Sequence, residues 1–369
     1  MIKYCKKCLM PSTRPRIMFD KTGVCNACQY KKENIKIDYE KREEELRKIL
    51  KKNKVKGSKY DCVVPWSGGK DSSYVAYQLK FKYGVNPLLV TFSPLIPSQV
   101  GKHNRKEMIK LGFDHIIVTP NEKISSYLSK RFLIERANPK VAWDAGINSI
   151  PIKTAMEKKI KLIFYAEHGE SHYGGKILNK NSDKIRDINE IFEHQIGDDP
   201  KNWIDNIVAE KDIAPYCLPE KKEFNKNKMQ AYYFAYFDSW DVNRNYEFIK
   251  KKINFKTHEK NRSPGTFTDY DSLDDHIDSI YYHLQYIKFG FGRCWRDASR
   301  HVQLNKLKKD KAIKFINEYD HELDDNDLSK TLDYLKMSRI EFFNIIEKHR
   351  NKKIWKKSGN KYKLINEPE

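Results

Sequence analysis

The stretch SGGKDS, residues 67–72, has the composition of a loop that binds an anion. It follows the apolar run VVPW and precedes the amphipathic segment YVAYQL, so we expect a strand before it and a helix after it. Gly68 and Gly69 let a ligand approach the backbone closely, and the helix start offers free N–H groups and the positive end of its dipole. Lys70 adds a positive charge, and Asp71 can hold Mg²⁺. The stretch therefore predicts a phosphate site.

This loop differs from the kinase-type phosphate loop, which has a glycine where this chain has Val64. It resembles the PP-loop of the ATP pyrophosphatases, whose signature SGGxDS follows the first strand. The resemblance implies that the loop holds pyrophosphate while the α-phosphate of ATP is attacked, with Lys70 and Asp71 as catalytic residues. It also implies adenine binding at the end of the second strand. The implied ATP-binding residues are Ser67, Gly68, Gly69, Lys70, Asp71, Ser72, Ser73, Thr91, Phe92 and Ser93.

Four of the seven cysteines form two C-x-x-C pairs near the N-terminus. They are Cys5, Cys8, Cys25 and Cys28. Two thiolate pairs on tight turns suit the tetrahedral geometry of zinc, and four protein ligands leave no open position for catalysis. We therefore predict a structural zinc site, with redox motifs or unliganded thiols as the alternative. The isolated cysteines, which are expected to fill a core or a pocket, are Cys62, Cys217 and Cys294.

Short apolar runs alternate with longer amphipathic segments in the first half of the chain. Continuous apolar strands separated by helices predict a parallel sheet covered on both faces, an α/β fold. With the PP-loop, this predicts an ATP pyrophosphatase domain of the adenine nucleotide alpha hydrolase type, preceded by a zinc-knuckle module and followed by a helical region. The predicted divisions are a cysteine module at 1–35, a connecting helix and linker at 36–58, the ATP-binding domain at 59–180 and a mainly helical substrate-binding region at 181–369.

The last predicted strand of this domain, KLIFYAE, runs into the segment HGESHYGG. Open parallel sheets bind ligands at the carboxyl ends of their strands. We therefore expect Glu167, His168 and Glu170 at the same edge as the SGGKDS loop. An ordinary connecting loop is the alternative.

The chain has 369 residues and a formal net charge of +21, from 71 basic and 50 acidic residues. Much of the excess is lysine spread along the whole sequence. Such an excess of positive charge is consistent with binding to a nucleic acid, a membrane surface or a small anionic substrate. It can equally result from a lysine-rich genome and have no function. No apolar run is long enough to cross a bilayer, and the start MIKYCKKC lacks the apolar core of a signal peptide. We therefore expect a cytoplasmic protein without a membrane partner.

Adenylation prepares a substrate for attack by ammonia, by sulfur bound for a tRNA base, or by an amino acid. Enzymes that thiolate tRNA also combine cysteine knuckles with a PP-loop, but the predicted loop domain has no C-x-x-C pair to handle sulfur. A glutaminase with an N-terminal cysteine is not expected, because Met1 and Ile2 precede Cys5, and GVCNA does not match the elbow pattern G-x-C-x-G. Ammonia would therefore come from a separate glutaminase or from solution.

Seven motifs, spread along nearly the whole chain, resemble the bacterial N-acetyl sugar amidotransferases of surface-polysaccharide and flagellin-glycan synthesis. They are CKKCLMPSTRP, GVCNAC, SGGKDSS, GESHYGG, GTFTDYDSLDD, KFGFGR and LDYLKMSRIEFF. The resemblance implies conversion of an acetamido group to an acetamidino group on a pseudaminic acid-type or nucleotide-linked diacetamido sugar, with ATP and Mg²⁺ as cofactors beside the structural zinc. Its implied partner is a separate glutaminase, and nucleic acid is not an expected partner. A PP-loop tRNA-thiolating enzyme is the alternative function.

The predicted substrate-binding residues lie in two of these motifs, just before GESHYGG and just after KFGFGR. They are Glu167, His168, Glu170, Tyr173, Arg293 and Arg296. The two arginines can grip a carboxylate or a phosphate bidentately, or they simply end a helix in solvent. The aromatic cluster at 232–240 predicts core packing, with a sugar-stacking wall as the alternative. For the whole chain, a zinc-stabilised nucleotide-binding module is the non-enzymatic alternative.

Overall fold

A five-stranded parallel sheet forms the centre of this computed structural model, which describes residues 2–34, 36–177, 181–359 and 361–368. In chain order the strands are β1 (Cys62–Pro65), β2 (Pro87–Phe92), β3 (Asp114–Val118), β4 (Leu162–Tyr165) and β5 (Gln230–Tyr233). In space the order is β3-β2-β1-β4-β5, with Val63 beside Leu88 on one side and Ile163 on the other. The chain adds β2 and β3 on one side of β1 and then β4 and β5 on the other side. At such a switch in strand order, a crevice opens outside the carboxyl ends of the two central strands, here β1 and β4.

Helices cover both faces of the sheet and form most of the C-terminal half. Those in the first half are α1 (Asn26–Asn34), α2 (Tyr39–Asn53), α3 (Lys70–Tyr77), α4 (Gln99–Ile109), α5 (Glu122–Arg136), α6 (Val141–Glu157) and α7 (Gly169–Tyr173). Those in the second half are α8 (Ile188–Ile191), α9 (Glu210–Ile213), α10 (Lys221–Lys226), α11 (Phe234–Phe237), α12 (Val242–Lys252), α13 (Ile277–Phe289), α14 (Arg293–Gln303), α15 (Lys309–Tyr319), α16 (Asp325–Leu335) and α17 (Arg339–Lys348).

Shorter elements connect these helices. They are the π-helical turns Gln78–Lys82 and Phe192–Ile196, the 3₁₀ turns Pro200–Trp203 and Ala214–Tyr216, and an antiparallel hairpin of β6 (Trp355–Ser358) and β7 (Lys361–Leu364). Within the described residues, no helix has both the length and the apolar character needed to cross a membrane.

Both faces of the strands β1, β2 and β4 are buried, as their continuous apolar sequences require, whereas the edge strand β3 is partly exposed. On one face α3 and α12 pack over Val64, Leu89 and Phe164. On the other face α5 and α6 pack over Val63 and Leu88. The predicted α/β fold with a parallel sheet is therefore confirmed, together with the N-terminal cysteine cluster and the mainly helical C-terminal region.

Residues 2–34 fold around the four cysteines, which are buried with the apolar side chains beside them. We call this segment the cysteine module. It docks on α14, where Trp295 Nε1 donates to the Leu9 carbonyl oxygen at 2.8 Å. The Tyr4 ring stacks on Trp295 with the ring centroids 5.5 Å apart. The first and the last third of the chain are thereby held together.

Two short stretches differ from the expected helical region beyond about residue 170. The aromatic stretch around residue 230 forms β5, in which Ala231 and Tyr233 are buried and Tyr232 is half-buried, the alternation of a strand. Only four residues alternate, and the helical pattern on either side hides them. The second stretch is the β6–β7 hairpin. The edge of the sheet therefore does not coincide with the predicted division at residue 180.

The rest of the aromatic cluster packs in the core. Phe234, Phe237 and Trp240 are buried against the face of the sheet that α3 covers. This agrees with core packing rather than with a sugar-stacking wall. The predicted connecting helix, α2, packs against the same core through Leu46 and Leu50.

Candidate active site

The SGGKDS loop joins β1 to α3 in the crevice. Gly68 has a φ of 93°, which favours glycine, and a Cβ there would lie 2.6 Å from Cγ of Arg105. Arg105, on α4, also donates from Nη1 to the Ser67 carbonyl oxygen at 2.9 Å. Gly69 precedes the first residue of α3, so the N-terminal end of the helix faces the crevice. Arg105 is a supporting residue that the sequence analysis did not identify.

Lys70 is the best-buried charge of the loop, with 3% of its side chain exposed. Its Nζ donates to Asp71 at 2.8 Å and also to Asp271, in the segment before α13. Burial alone lowers the pKa of Lys70, but Asp271 and Asp71 overcome that effect and hold the pKa above its ordinary value. The lysine is therefore charged and ready to face a phosphate.

Glu167 lies at the end of β4, beside the loop. Burial, followed by the charge of Asp71, raises the pKa of Glu167 to about 7. Tyr173 donates its hydroxyl to Glu167 Oε1 at 3.1 Å. Asp71 in turn accepts from Asn245 Nδ2 at 3.0 Å. The fold thus brings two of the predicted substrate residues, Glu167 and Tyr173, to the predicted phosphate loop.

Three arginines, Arg293, Arg296 and Arg300, occupy one side of α14 because they are three and four residues apart. Arg293 donates from Nε to Asp297 at 2.8 Å and pairs through Nη2 with Asp271 at 3.2 Å. It therefore links α14 to the Lys70 cluster, and its charge is already balanced by two carboxylates.

Arg296 is held differently from Arg293. Its guanidinium carbon lies 4.7 Å from the centre of the Tyr282 ring and 5.8 Å from that of Tyr173. Its Nε has no hydrogen-bond partner within the described residues, and the Asp297 carboxylate is 3.7 Å away. Arg296 is therefore the better placed of the two predicted arginines to receive an anion.

Glu170 lies away from the loop, against the cysteine module. Arg16 donates to its carboxylate from Nε at 3.0 Å and from Nη2 at 2.6 Å. The same carboxylate accepts from the Lys176 backbone at 3.0 Å. A Cβ at Gly175 would overlap this carboxylate, so a larger residue there would displace the Glu170 side chain. Glu170 thus holds the GESHYGG segment to the cysteine module.

His168 is buried behind β4 and β5 rather than open to the crevice. Its Nδ1 is 2.6 Å from Ser171 Oγ, its Nε2 is 3.9 Å from Glu190, and its ring centroid is 5.0 Å from that of Tyr233. The His168 side chain is therefore held by these contacts at the start of α7. Its assignment to the substrate remains a prediction.

The predicted adenine-binding residues lie at the carboxyl end of β2 and are largely buried. Thr91 Oγ1 bonds to the Trp66 carbonyl oxygen and lies 2.8 Å from His115 Nε2. Phe92 packs against Gly146 of α6, where a Cβ would overlap its ring. The Ser93 carbonyl oxygen accepts from an indole at 3.1 Å. These side chains shape the crevice wall.

The remaining hydroxyls of the loop differ in exposure. Ser73 is fully buried and accepts from Trp66 Nε1 at 2.9 Å, so its hydroxyl supports the packing of α3. Ser72 is half-buried, with Oγ 3.5 Å from the Gly69 carbonyl oxygen. Ser67 Oγ accepts from the Gly69 backbone at 3.1 Å. Ser67 and Ser72 therefore remain the better candidates for contact with phosphate.

The four clustered cysteines have the geometry of a metal site. Their Sγ atoms all lie within 4.8 Å of one another, with 3.9 Å between Cys5 and Cys28 and 3.6 Å between Cys8 and Cys25. Tetrahedral zinc with bonds of about 2.3 Å places its sulfur ligands about 3.8 Å apart. The donor set and the spacing therefore fit zinc. Of the other cysteines, Cys62 and Cys294 are buried and Cys217 is half-buried.

Asp271, Asn245 and Arg105 complete the surroundings of the loop, and none of them has a motif of its own. Asp271 does lie in GTFTDYDSLDD, one of the stretches that carry the family resemblance. That motif was a signal that could have identified it. Arg16 similarly lies directly after the stretch CKKCLMPSTRP.

The C-terminal part of the chain matches a known family. Residues 264–368 match the C-terminal domain of WbpG-like LPS biosynthesis proteins. A 53-residue stretch, 14% of this chain, is 43% identical to the uncharacterized protein MJ1599 of Methanocaldococcus jannaschii. The match spans about a fifth of that relative, 19% of its length.

Two solved structures are similar to the chain at low TM-scores. One is NMN synthetase from Francisella tularensis, with a TM-score of 0.28 and 12% identity, covering 58% of this chain and 94% of that one. The other is the U34-tRNA thiolase NcsA from Methanococcus maripaludis with its [4Fe-4S] cluster, with a TM-score of 0.28 and 13% identity, covering 94% and 89%. At these scores neither likeness supports an argument about activity.

The matched domain contributes directly to the crevice. Asp271 and the arginines of α14 lie in it, and Asp271 is bonded to Lys70 of the phosphate loop. The loop and the domain match together support an ATP-using enzyme of sugar biosynthesis. Residues 264–368, which supply these side chains, are the part of the chain that is similar to the C-terminal domain of the WbpG-like LPS biosynthesis proteins.

Proposed function

We propose that this protein is an ATP-dependent amidotransferase that converts an acetamido group of a bacterial surface sugar into an acetamidino group. The sugar is a pseudaminic acid-type sugar or a nucleotide-linked diacetamido sugar. The observation that carries the proposal is the bond from Lys70, in the phosphate loop, to Asp271, in the WbpG-like domain. This bond connects the loop that is proposed to bind ATP with the part of the chain that matches the WbpG-like domain.

The reaction has two steps. In the first, the amide oxygen of the sugar forms a bond to the α-phosphorus of ATP, and the bond from that phosphorus to the β-phosphate breaks. Pyrophosphate departs into the SGGKDS loop, where Lys70 and the start of α3 stabilise its charge. In the second step, ammonia adds to the activated carbon, the C–O bond breaks and AMP leaves. No covalent intermediate with the protein is needed.

Glu167 fits the role of the base in the second step. The nitrogen of ammonia becomes positively charged as it adds to carbon, and it must lose a proton. A base with a pKa near the working pH is best suited to accept it, and the pKa of Glu167 is raised to about 7. Tyr173, which donates to Glu167, orients the carboxylate.

Two metals and one protein partner belong to the proposal. Carboxylate oxygens suit Mg²⁺, so Asp71 would hold the ion, which supplies neutralisation of the phosphate charges. The four clustered cysteines would hold a structural zinc ion. A separate glutaminase would supply ammonia, since no glutaminase motif was found in the sequence.

The test is a reconstitution with purified protein. Mg-ATP, an ammonium salt and an acetamido nonulosonate or its nucleotide-activated form are incubated with the protein, and AMP and the sugar mass are followed. We expect AMP only when the sugar is present, and a sugar whose mass shows the exchange of oxygen for NH. Lys70→Met should reduce AMP formation at least about 100-fold.

Three outcomes would contradict the proposal. If AMP were released without the sugar, the sugar would not be the group that ATP adenylates. If sulfur were incorporated into tRNA, the protein would be a tRNA-thiolating enzyme instead. If Asp71→Asn left the cellular role intact, a nucleotide-binding module without catalysis would be the better description.

A further inference from the structure

Two arginines from distant parts of the chain meet at the edge of the crevice. Arg14, in the cysteine module, donates from Nε to the Gly174 carbonyl oxygen at 2.7 Å. Arg296, on α14, lies with its guanidinium 5.8 Å from the ring of Tyr173, the residue before Gly174. Tyr173 also donates to Glu167, so both arginines lie near the residue that orients the proposed base.

These two charges are less closely balanced by carboxylates than their neighbours are. The Asp297 carboxylate lies 3.7 Å from Arg296 Nε, beyond hydrogen-bond distance. Arg16 has Glu170, and Arg293 has Asp271 and Asp297. Within the described residues, the bond to Gly174 is the only side-chain hydrogen bond of Arg14.

Arg14 and Arg296 also repel each other. Burial and then the charge of Arg296 lower the pKa of Arg14 to about 10. Two partly buried guanidinium groups held close together are unfavourable when, within the described residues, neither is hydrogen-bonded to a carboxylate. An anion between them would remove the repulsion and satisfy their free N–H groups.

We propose that Arg14 and Arg296 bind the negatively charged group of the sugar substrate, a carboxylate or a phosphate, so that the cysteine module forms part of the substrate site. The inference rests on the proposed function for the identity of the sugar. A guanidinium presents a planar pair of donors that matches both anions.

The docking of the cysteine module fixes the positions of the two arginines relative to each other. Trp295, next to Arg296, donates to the Leu9 carbonyl oxygen at 2.8 Å. Asn26 bonds to the Gly175 carbonyl oxygen, one residue after the partner of Arg14. The module therefore has a role beyond its own fold, since it delivers one half of the anion site.

The test compares anionic and uncharged ligands while the phosphate loop is filled. The protein is saturated with Mg²⁺ and a non-hydrolysable ATP analogue, and binding is measured by calorimetry. The carboxylate pair is N-acetylneuraminate and its methyl ester, and the phosphate pair is UDP-N-acetylglucosamine and N-acetylglucosamine. The variants are Arg14→Gln and Arg296→Gln, with Lys21→Gln as the control, an exposed charge on the same module.

We expect each arginine variant to weaken binding of the charged ligand of one pair at least about 10-fold, because a hydrogen bond to a charged group is lost. Binding of the uncharged ligand and of the ATP analogue should not change, and Lys21→Gln should match the wild type. The pair that responds identifies the anion as carboxylate or phosphate. A merely structural role of Arg14 would weaken both ligands of a pair equally.

The inference is overturned if the charged ligand binds Arg14→Gln as it binds the wild type, if both ligands of the pair weaken together, or if the wild type prefers neither anion. Melting curves of the variants show whether a loss of fold explains a loss of binding. If the wild type makes no acetamidino product but still binds the anion through Arg14, the proposed function fails and the anion site stands.

Discussion

At the scale of single residues, the surroundings of Glu167 raise the pKa of its carboxyl group. Its carboxyl group lies between a hydroxyl donor, Tyr173, and a negative neighbour, Asp71, in a partly buried position. A carboxylate in water is almost fully ionised at neutral pH and is a weak base. With its pKa raised to about 7, Glu167 can accept a proton from the attacking nitrogen and release it again.

A pH–rate profile tests this role. Glu167 accepts a proton only when it is ionised, so the rate of acetamidino formation should rise with pH and reach half of its plateau near pH 7. Glu167→Gln should lower the rate about 100-fold and remove this rise. The measurement uses a fixed concentration of free ammonia, because ammonium also titrates. Glu157→Gln, at an exposed glutamate, should behave as the wild type. An unchanged profile in Glu167→Gln would assign the base elsewhere.

At the scale of elements, α14 decides where the arginines lie. Its first turn is anchored by Asp320, whose carboxylate accepts from the Gly292 backbone at 2.7 Å and from the Trp295 backbone at 2.8 Å. Asp320 belongs to the turn after α15, so the helix is capped by a residue that is distant in sequence. The arrangement fixes the direction in which Arg293 and Arg296 point.

Removing this anchor should affect both stability and substrate binding. Asp320→Ala leaves backbone N–H groups at the start of α14 without a partner, and we expect the free energy of unfolding to fall by about 1–2 kcal/mol. The KM for the sugar should rise while the KM for ATP stays the same, because the phosphate loop is on another element. Urea unfolding and steady-state kinetics measure the two effects.

The control for this experiment is Asp310→Ala, at an exposed acid in the first turn of α15. We expect it to change the free energy of unfolding by less than about 0.5 kcal/mol. If Asp320→Ala changed neither quantity more than the control did, the cap would have no part in placing α14.

At the scale of the whole molecule, the cysteine module contacts both the α/β domain and the C-terminal helices. It bonds to the GESHYGG segment through Arg16 and Asn26 and to α14 through Leu9. Few side chains other than the cysteines form its core. Metal binding in such a module supplies the folding energy that its small core cannot.

Loss of the metal should therefore open one part of the chain first. We expect purified protein to contain one zinc ion per chain by elemental analysis. After treatment with a chelator, trypsin should cut within residues 2–34 before it cuts the sheet, and acetamidino formation should fall while the ATP analogue still binds. Cys8→Ser should have the same effect as the chelator, and Cys217→Ser, outside the cluster, should have none. Bound iron, or a metal-free module that resists trypsin, would contradict the prediction.

Features that depend on neighbouring residues could be predicted from the sequence. The loop, its strand and its helix need only the local order of apolar runs, glycines and charges, and the structure has all of them at SGGKDS. The cysteine cluster follows from two short spacings. Most strands of the sheet are continuous apolar runs, but β5 is four residues long and its partner in the sheet is the distant β4, so its assignment depended on the tertiary structure.

The sequence by itself determined the glycine-rich loop between a strand and a helix, the cysteine cluster and the α/β fold, because each depends on residue types at short, constant spacings. It also predicted Glu167 at the edge of the sheet that holds the loop, but only the tertiary structure decided which charges contact one another there. The strand order brings β4 next to β1, so that Glu167 lies beside Asp71. The packing of the C-terminal domain brings Asp271 to Lys70, two hundred and one residues away. Such pairs depend on how the whole chain folds, and a local sequence pattern does not contain that information.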